Sequence, residues 1–278
     1  MPSKPRLGQN FLRDAQAIQR IANALGDITG ETVIEIGPGQ GAITHALASR
    51  AARVIAIELD PHLAAHLRNQ FPQERVRVIQ GDVLGFDFAA ASNTAGKRLV
   101  VAGNLPYYIT SPILLKLAAS HAAIDRAILM VQREVADRIV AVPGSRDYGV
   151  LSVTVQMYGP VERLFTLPPA AFSPPPDVHS TVFRWRFAPR FAEFGVEEAE
   201  FLRFARQIFA QKRKTLANNL RAAGYEPADI QAALAAASIG VQARAEELSL
   251  EKLAALWISL PKETAASASE AADPGREG

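Results

Sequence analysis

Thr32-Val-Ile-Glu-Ile36 runs directly into Gly37-Pro38-Gly39-Gln40-Gly41, and then into an Ala- and Leu-rich stretch that ends at Arg50. A β-branched run, a glycine cluster and a helix-forming segment read as strand, tight loop and helix. The glycines leave room for a ligand to approach the backbone. The same alternation continues outward. Arg53-Val-Ile-Ala-Ile-Glu58 is a second strand, Asp60 and Pro61 start a helix that runs to Gln70, and Arg75-Val-Arg-Val-Ile-Gln80 is a third strand. Arg98-Leu-Val-Val-Ala102 makes a fourth, Ser111 to Ala119 a helix, and Ala127-Ile-Leu-Met-Val131 a fifth. Repeated strand–helix units predict an α/β fold with a parallel, doubly wound sheet. In such sheets ligands bind outside the carboxyl ends of the strands, so chemistry is sought just after each one.

Beyond the fifth strand the pattern loosens. Val150 to Tyr158 fits neither a period of 2 nor one of 3.6 cleanly and is read as helix. Val161 to Leu167 and Ser180 to Phe187 are strand-like, and an antiparallel pair there completes the sheet. The Pro-rich link between them, with Pro168-Pro169 and Pro174-Pro175-Pro176, is too stiff and donor-poor for an element interior. After Pro189 helix formers dominate, with helices expected over Val196 to Ala222, Pro227 to Ala237 and Ser249 to Leu260. Four regions follow: an N-terminal segment 1–30, a Rossmann-like domain 31–189, a small C-terminal helical domain 190–262, and a tail 263–278. The tail is rich in Ala, Ser, Glu and Gly, with too few large apolar residues to offset ordering entropy, and is expected to be disordered.

Composition narrows the class. The 278 residues are 49% hydrophobic and 21% charged, which is globular rather than disordered. A formal charge of +2 gives a polyanion no strong general attraction, so any nucleic-acid surface must come from clustering. With no Cys there are no disulfides, thiolate metal sites or Cys nucleophiles, and a cytoplasmic location is expected. The N-terminus lacks a signal-like apolar run, and no stretch reaches the roughly 18 to 20 apolar residues of a membrane span, so no membrane is expected as a partner.

Gly37, Gly39 and Ala42 satisfy the loose dinucleotide pattern G-x-G-x-x-A, with Glu58 placed 21 residues after Gly37 as a ribose-binding acid. A NAD-dependent oxidoreductase therefore competes. Glu35 directly before the glycines, and Asp82 after the third strand, favour S-adenosylmethionine instead. Glu58 has two carboxylate oxygens for the ribose hydroxyls, and Asp82 can accept from the cofactor's adenine amino group. Each also has a plain structural alternative, an exposed strand-end acid for Glu58 and a turn cap for Asp82. Glu35 either orients the glycine loop or approaches the methionine amino group.

Gly103-Asn104-Leu105-Pro106-Tyr107-Tyr108 follows the fourth strand. Methyl transfer from a sulfonium is an in-line displacement, and the protein's task is to hold the nucleophile in reach and aligned. A conjugated amine is a poor nucleophile, and donation of its N–H groups to two fixed acceptors favours a pyramidal nitrogen. The Asn104 side-chain oxygen and the Leu105 carbonyl supply the two acceptors. Pro106 stiffens the turn, Tyr107 offers a stacking face, and Phe172 is the candidate for the opposite face of a base sandwich. No general base stands out, and proton loss to water is the simplest route. The tetrapeptide alone supports an amine methyltransferase of open substrate, and its structural alternative is an ordinary Pro-containing turn.

Taken together, Gly8-Gln-Asn-Phe-Leu12, Glu35-Ile-Gly-Pro-Gly39, Ile57-Glu-Leu-Asp60, Asn104-Leu-Pro-Tyr107, Gln132-Arg-Glu-Val135, Ala171-Phe-Ser-Pro-Pro-Pro176 and Gln211-Lys-Arg-Lys-Thr215 resemble the ribosomal RNA adenine dimethyltransferase family, from Gly8 to about Leu260. The bacterial members that act on 16S rRNA are the nearest in pattern. The resemblance implies a Rossmann-like S-adenosylmethionine methyltransferase sheet with a small helical domain. It also implies dimethylation of the N6 amines of two adjacent adenosines near the 3′ end of 16S rRNA in the small ribosomal subunit, and a role in ribosome biogenesis. It adds Asn10 and Leu12 to the cofactor contacts at Gly37, Glu58, Asp82 and Asn104. Relatives often have Asn where this chain has Tyr108, which leaves that position's role open.

Arg203, Arg206, Lys212, Arg213 and Lys214 are expected on one helix, as a basic face for RNA phosphates or simply a solvated one, with Lys4 and Arg6 adding to it. The five His residues show no ligand spacing, so no metal is expected, and a monomer is the default. The alternatives at this point are a 23S rRNA adenine methyltransferase and a non-catalytic assembly or transcription factor.

Overall fold

A computed structural model describes residues 10–261. Lys4, Arg6 and the tail 263–278 lie outside the described residues. The chain divides into two units, the first through Arg190 and the second from Phe191.

The first unit opens with a two-residue strand, β1 (Phe11–Leu12), and α1 (Ala15–Ala24), whose first turn is capped by the Asp14 side chain. The alternation then proceeds through β2 (Thr32–Ile36), α2 (Ala42–Ala48), β3 (Arg53–Glu58), α3 (Pro61–Gln70), β4 (Val76–Gln80), α4 (Phe88–Ala95), β5 (Leu99–Asn104), α5 (Thr110–Ala119) and β6 (Ile124–Gln132). After α6 (Arg133–Ile139) and α7 (Val150–Met157) come β7 (Val161–Leu167), a two-residue β8 (Phe172–Ser173) and β9 (Ser180–Arg186). Helices α1, α4 and α6 were not anticipated from the pattern. Residues 150–157 are helical, and six of them are buried, which hides the polar face that would have revealed the period.

Seven strands form one sheet in the order β4-β3-β2-β5-β6-β9-β7. The first five run parallel, and β9 pairs antiparallel with both β6 and β7. Val33, Ile34, Val54, Val100, Val101, Ile128 and Leu129 in the middle strands are fully or almost fully buried. That explains their continuous β-branched and aliphatic runs, because a parallel sheet covered on both faces has no polar face to alternate with.

The second unit contains α8 (Glu198–Ile208), α9 (Leu216–Ala222), α10 (Pro227–Ala236) and α11 (Leu250–Ser259). Phe201, Phe204, Leu220, Leu234 and Leu253 form its core, with Phe204 and Trp257 ring centroids 5.2 Å apart. The single helix expected over Val196 to Ala222 is two. Thr215 caps α9 by accepting from the Asn218 N–H, and the Asn219 side chain competes for the backbone of Gln211, so the chain turns between them.

Candidate active site

Strand order runs outward in both directions from the β2–β5 pair, so a crevice opens at the carboxyl ends of these two strands. The strands come so close there that a Cβ on Gly103 would stand 2.8 Å from the Ile36 carbonyl oxygen. The resulting cleft encloses about 1060 Å³ including its open mouth. It is lined by Gly37, Pro38 and Gly39 after β2, by Glu58 and Leu59 at the end of β3, by Gly81, Asp82 and Val83 after β4, and by Asn104 to Ile109 after β5. Four strand ends thus deliver four separate stretches of sequence to one site.

Gly39 meets two demands at once. Its φ of 58° is left-handed, and a Cβ there would sit 3.0 Å from the Phe11 ring. Phe11 lies over the glycine loop because β1 pairs antiparallel with β8, Phe11 opposite Ser173 and Leu12 opposite Phe172. The Arg13 N–H donates to the Ala171 carbonyl at 2.8 Å, and the Arg13 guanidinium donates to Gln40 Oε1 at 2.7 Å. This strap places Asn10, Phe11 and Leu12 on the cleft wall. Asn10 and Leu12 came only from the resemblance. Phe11 was missed, although the need to cover a bare glycine loop was a signal for it.

Glu58 is 3% exposed, which removes the solvent-exposed strand-end alternative. Its Oε2 accepts from the Gly39 N–H at 3.0 Å and its Oε1 from the Asp60 N–H at 2.9 Å. Each carboxylate oxygen has two lone pairs, so one on each remains for a ribose hydroxyl while the first fixes the loop. Burial raises the Glu58 pKa, and the Asp60 and Gly39 N–H groups counter that rise. Asp82 combines its two readings: one oxygen accepts from the Leu84 N–H at 2.9 Å, capping a 3-10 turn, while the residue lines the cleft. Glu35, 1% exposed, also lines it. Burial pushes its carboxyl up to about 7, with Thr44 pulling it down and the charge of Glu58 adding to the rise.

At the end of β5 the Asn104 side-chain nitrogen donates to the Asn10 carbonyl at 3.2 Å. Its Oδ1 is buried without a partner among the described residues, as is Glu35 Oε2. Leu105 is buried, and its N–H is anchored on the Met130 carbonyl at 2.9 Å. The Pro106 carbonyl accepts from the Ile109 N–H and from Thr110 Oγ1, closing a 3-10 turn that carries Tyr107 and Tyr108. The Tyr107 hydroxyl is 2.7 Å from Ser180 Oγ. Tyr108 lines the same cleft and is 59% exposed.

Phe172 is a correction. It was expected opposite Tyr107, but in β8 it is 4% exposed, packed in the core cluster with Leu12 and Ile128, and does not line the cleft. With two-residue alternation Ser173 takes the outward position and Phe172 the inward one.

The basic cluster also needs correcting, because Arg203 and Arg206 lie exposed on α8 whereas Lys212, Arg213 and Lys214 lie in the turn before α9. That turn is held from within. The Gln211 N–H donates to Asn219 Oδ1 at 3.0 Å, and Asn219 Nδ2 donates back to the Gln211 carbonyl at 3.2 Å. The Arg244 guanidinium donates to the Lys212 carbonyl. Three adjacent cations are therefore displayed on a tied turn rather than along a helix.

Two buried acceptors without partners among the described residues, a glycine backbone open to a ligand, and carboxylates at successive strand ends fit the donors and hydroxyls of S-adenosylmethionine. Among the described residues no three His, Asp or Glu side chains are grouped to hold a metal ion, and no helix is long and apolar enough to cross a membrane.

A family model described as ribosomal RNA adenine dimethylase matches residues 2–262. A ribosomal RNA small subunit methyltransferase A of Acidobacterium capsulatum is 59% identical over 258 residues, covering 92% of this chain and 91% of that protein. One of the same name from Koribacter versatilis is 49% identical, covering 93% of this chain and 95% of that one. Among solved structures, the 23S rRNA methyltransferase ErmE superposes with a TM-score of 0.68 at 25% identity, covering 90% of this chain and 99% of that one. A dimethyladenosine transferase from Plasmodium falciparum gives 0.73 at 23% identity, covering 88% and 95%, and speaks to the fold.

Proposed function

The chain belongs to the ribosomal RNA adenine dimethylase family, and from that premise we propose that its substrate is 16S rRNA, in the small ribosomal subunit or its precursor. There it converts two adjacent adenosines near the 3′ end to N6,N6-dimethyladenosine. It is an S-adenosylmethionine-dependent enzyme that dimethylates adenine in ribosomal RNA. The choice of the small subunit is supported by relatives at 59% and 49% identity that carry small-subunit names, against 25% for the 23S methyltransferase. A NAD oxidoreductase has no use for an Asn-Leu-Pro-Tyr turn lining its cleft, and a non-catalytic factor has none for a buried acceptor at its base that lacks a partner among the described residues. We further propose that the protein acts as a cytoplasmic monomer.

One observation carries the mechanism, the buried Oδ1 of Asn104, which has no partner among the described residues. S-adenosylmethionine, when bound, supplies an electrophilic methyl on a sulfonium. Glu58 and Asp82 hold its ribose and adenine, the Gly37–Gly39 backbone gives it room, and Asn10, Phe11 and Leu12 cover it. Asn104 Oδ1 and the Leu105 carbonyl accept the two N–H bonds of the target amine, which aims the nitrogen lone pair. Such positioning is the main source of rate in a displacement that needs no covalent intermediate on the protein. Tyr107 receives the face of the base after it leaves its stack. The amine proton is lost to water.

Arg203, Arg206, Lys212, Arg213 and Lys214 form two exposed basic sets that suit RNA phosphates. The deciding experiment incubates undermethylated small subunits, and separately large subunits, with labelled cofactor and analyses the nucleosides. Dimethyladenosine in 16S rRNA is expected. Its absence there, or its appearance only in 23S rRNA, overturns the reading.

A further inference from the structure

Tyr107 and Ser180 are 73 residues apart, yet their hydroxyls meet at 2.7 Å. Ser180 is the first residue of β9 and has no solvent exposure. Its backbone lies in register with Gln132 at the end of β6 and Leu167 at the end of β7, so three strand ends fix its position. Tyr107 leaves β5 on a short turn closed by the Ile109 N–H and Thr110 Oγ1 on the Pro106 carbonyl. Sheet order places β6 between β5 and β9, so the hydrogen bond spans one whole strand at the edge of the cleft.

A tyrosine held only by its backbone swings about χ1 and χ2, and a stacking face that swings must be ordered each time a base arrives. Here the ring is fastened at both ends, by the turn and by its hydroxyl. We propose that Ser180 is a positioning residue for methyl transfer, locking the Tyr107 ring in the plane on which the target adenine stacks. The proposal rests on the functional reading above, because it takes Tyr107 as the surface that receives the base. Ser180 touches neither base nor cofactor in this scheme. It removes ordering cost from the bound state, as preorganisation does generally. Burial raises the Tyr107 pKa and keeps the phenol a neutral hydrogen-bonding group.

The test compares wild type with Ser180→Ala, Tyr107→Phe and the double variant, with undermethylated small subunits as substrate. Cofactor affinity is measured in parallel by calorimetry. Each single variant is expected to lose about tenfold in kcat with cofactor affinity unchanged, and the double variant to be no slower than the slower single one. Ser180→Thr keeps the hydroxyl and should recover most of the rate. Additive losses in the double variant, or Ser180→Ala at the wild-type rate, overturn the proposal. Should Ser180→Ala fail to fold, Tyr107→Phe breaks the same bond from the half-buried side, and a wild-type rate there overturns it equally. Failure of the functional reading is separate and is seen first, as wild type leaving no dimethyladenosine.

Discussion

The carboxamide of Asn104 is turned by Asn10: its nitrogen donates to the Asn10 carbonyl at 3.2 Å, and its oxygen is left buried without a partner among the described residues. The hydrogen bond joins positions 94 apart in the sequence. A side-chain amide whose donor is engaged presents its acceptor in one direction only. An unsatisfied buried acceptor costs on the order of 1–3 kcal/mol in the ligand-free protein, a cost recovered when a donor arrives.

Replacement of Asn104 by Ala removes the acceptor. Turnover should fall by about 10² or more, the scale seen when one preorganised hydrogen-bonding group at a reacting centre is removed. Cofactor affinity should fall far less. Single-turnover kinetics with calorimetry separate the two, and a wild-type rate would remove Asn104 from the mechanism.

Glu58→Gln affects the cofactor rather than the base. Both oxygens of Glu58 accept backbone N–H bonds from Gly39 and Asp60, and an amide can satisfy only one of them. The mismatch should weaken cofactor binding roughly 10- to 100-fold, as expected when a charge-assisted bond is replaced by an N–H facing an N–H. RNA affinity should hold. Equal weakening of both affinities would show that Glu58 serves the fold alone.

Glu35 sets a pH dependence. Its folded pKa is near 7, above its ordinary 4.5, because burial penalises the charged form. The folded state therefore holds a proton that the unfolded state has released, and stability of the ligand-free protein falls as pH rises from 4.5 to 7. Above the folded pKa the full penalty is present, about 3 kcal/mol. Glu35→Gln removes this slope, so its gain in stability over wild type should be larger at about pH 8 than at about pH 5 in urea unfolding. The same difference at both pH values would refute the argument.

The tied turn at 211–215 leads to a prediction about salt. Arg213→Ala combined with Lys214→Ala should flatten the dependence of log K for RNA on log salt by about 0.7 for each phosphate no longer neutralised. Asn219→Ala leaves every cation in place but frees the Gln211 backbone, so it should weaken binding with little change of slope. An unchanged slope in the double variant would move the RNA surface elsewhere.

The central strands, the glycine loop and the acids Glu35, Glu58 and Asp82 were legible in the chain, because a buried parallel strand needs an unbroken apolar run and its loops come immediately after it. Helix α1 carried its signal, an Asp14 cap followed by Ala17, Ile21 and Ala22 on one buried face, and was overlooked. Helices α4 and α6 and the break at residues 209–215 were not legible, because short segments whose limits are set by a cap or a tertiary hydrogen bond carry weak periodicity. Thr215 was the one local sign of the break, and its force depends on Asn219 reaching back to Gln211.

The sequence by itself therefore determined the sheet and set Glu35, Glu58, Asp82 and the Asn104–Tyr107 turn at or beside its strand ends, since these rest on local patterns. Only the tertiary structure decided that Phe11 covers Gly39, that Phe172 is turned into the core, that Asn10 aims the Asn104 carboxamide and that Ser180 holds Tyr107. Each of these depends on a meeting of distant segments, and no local propensity encodes which distant partner a side chain will find.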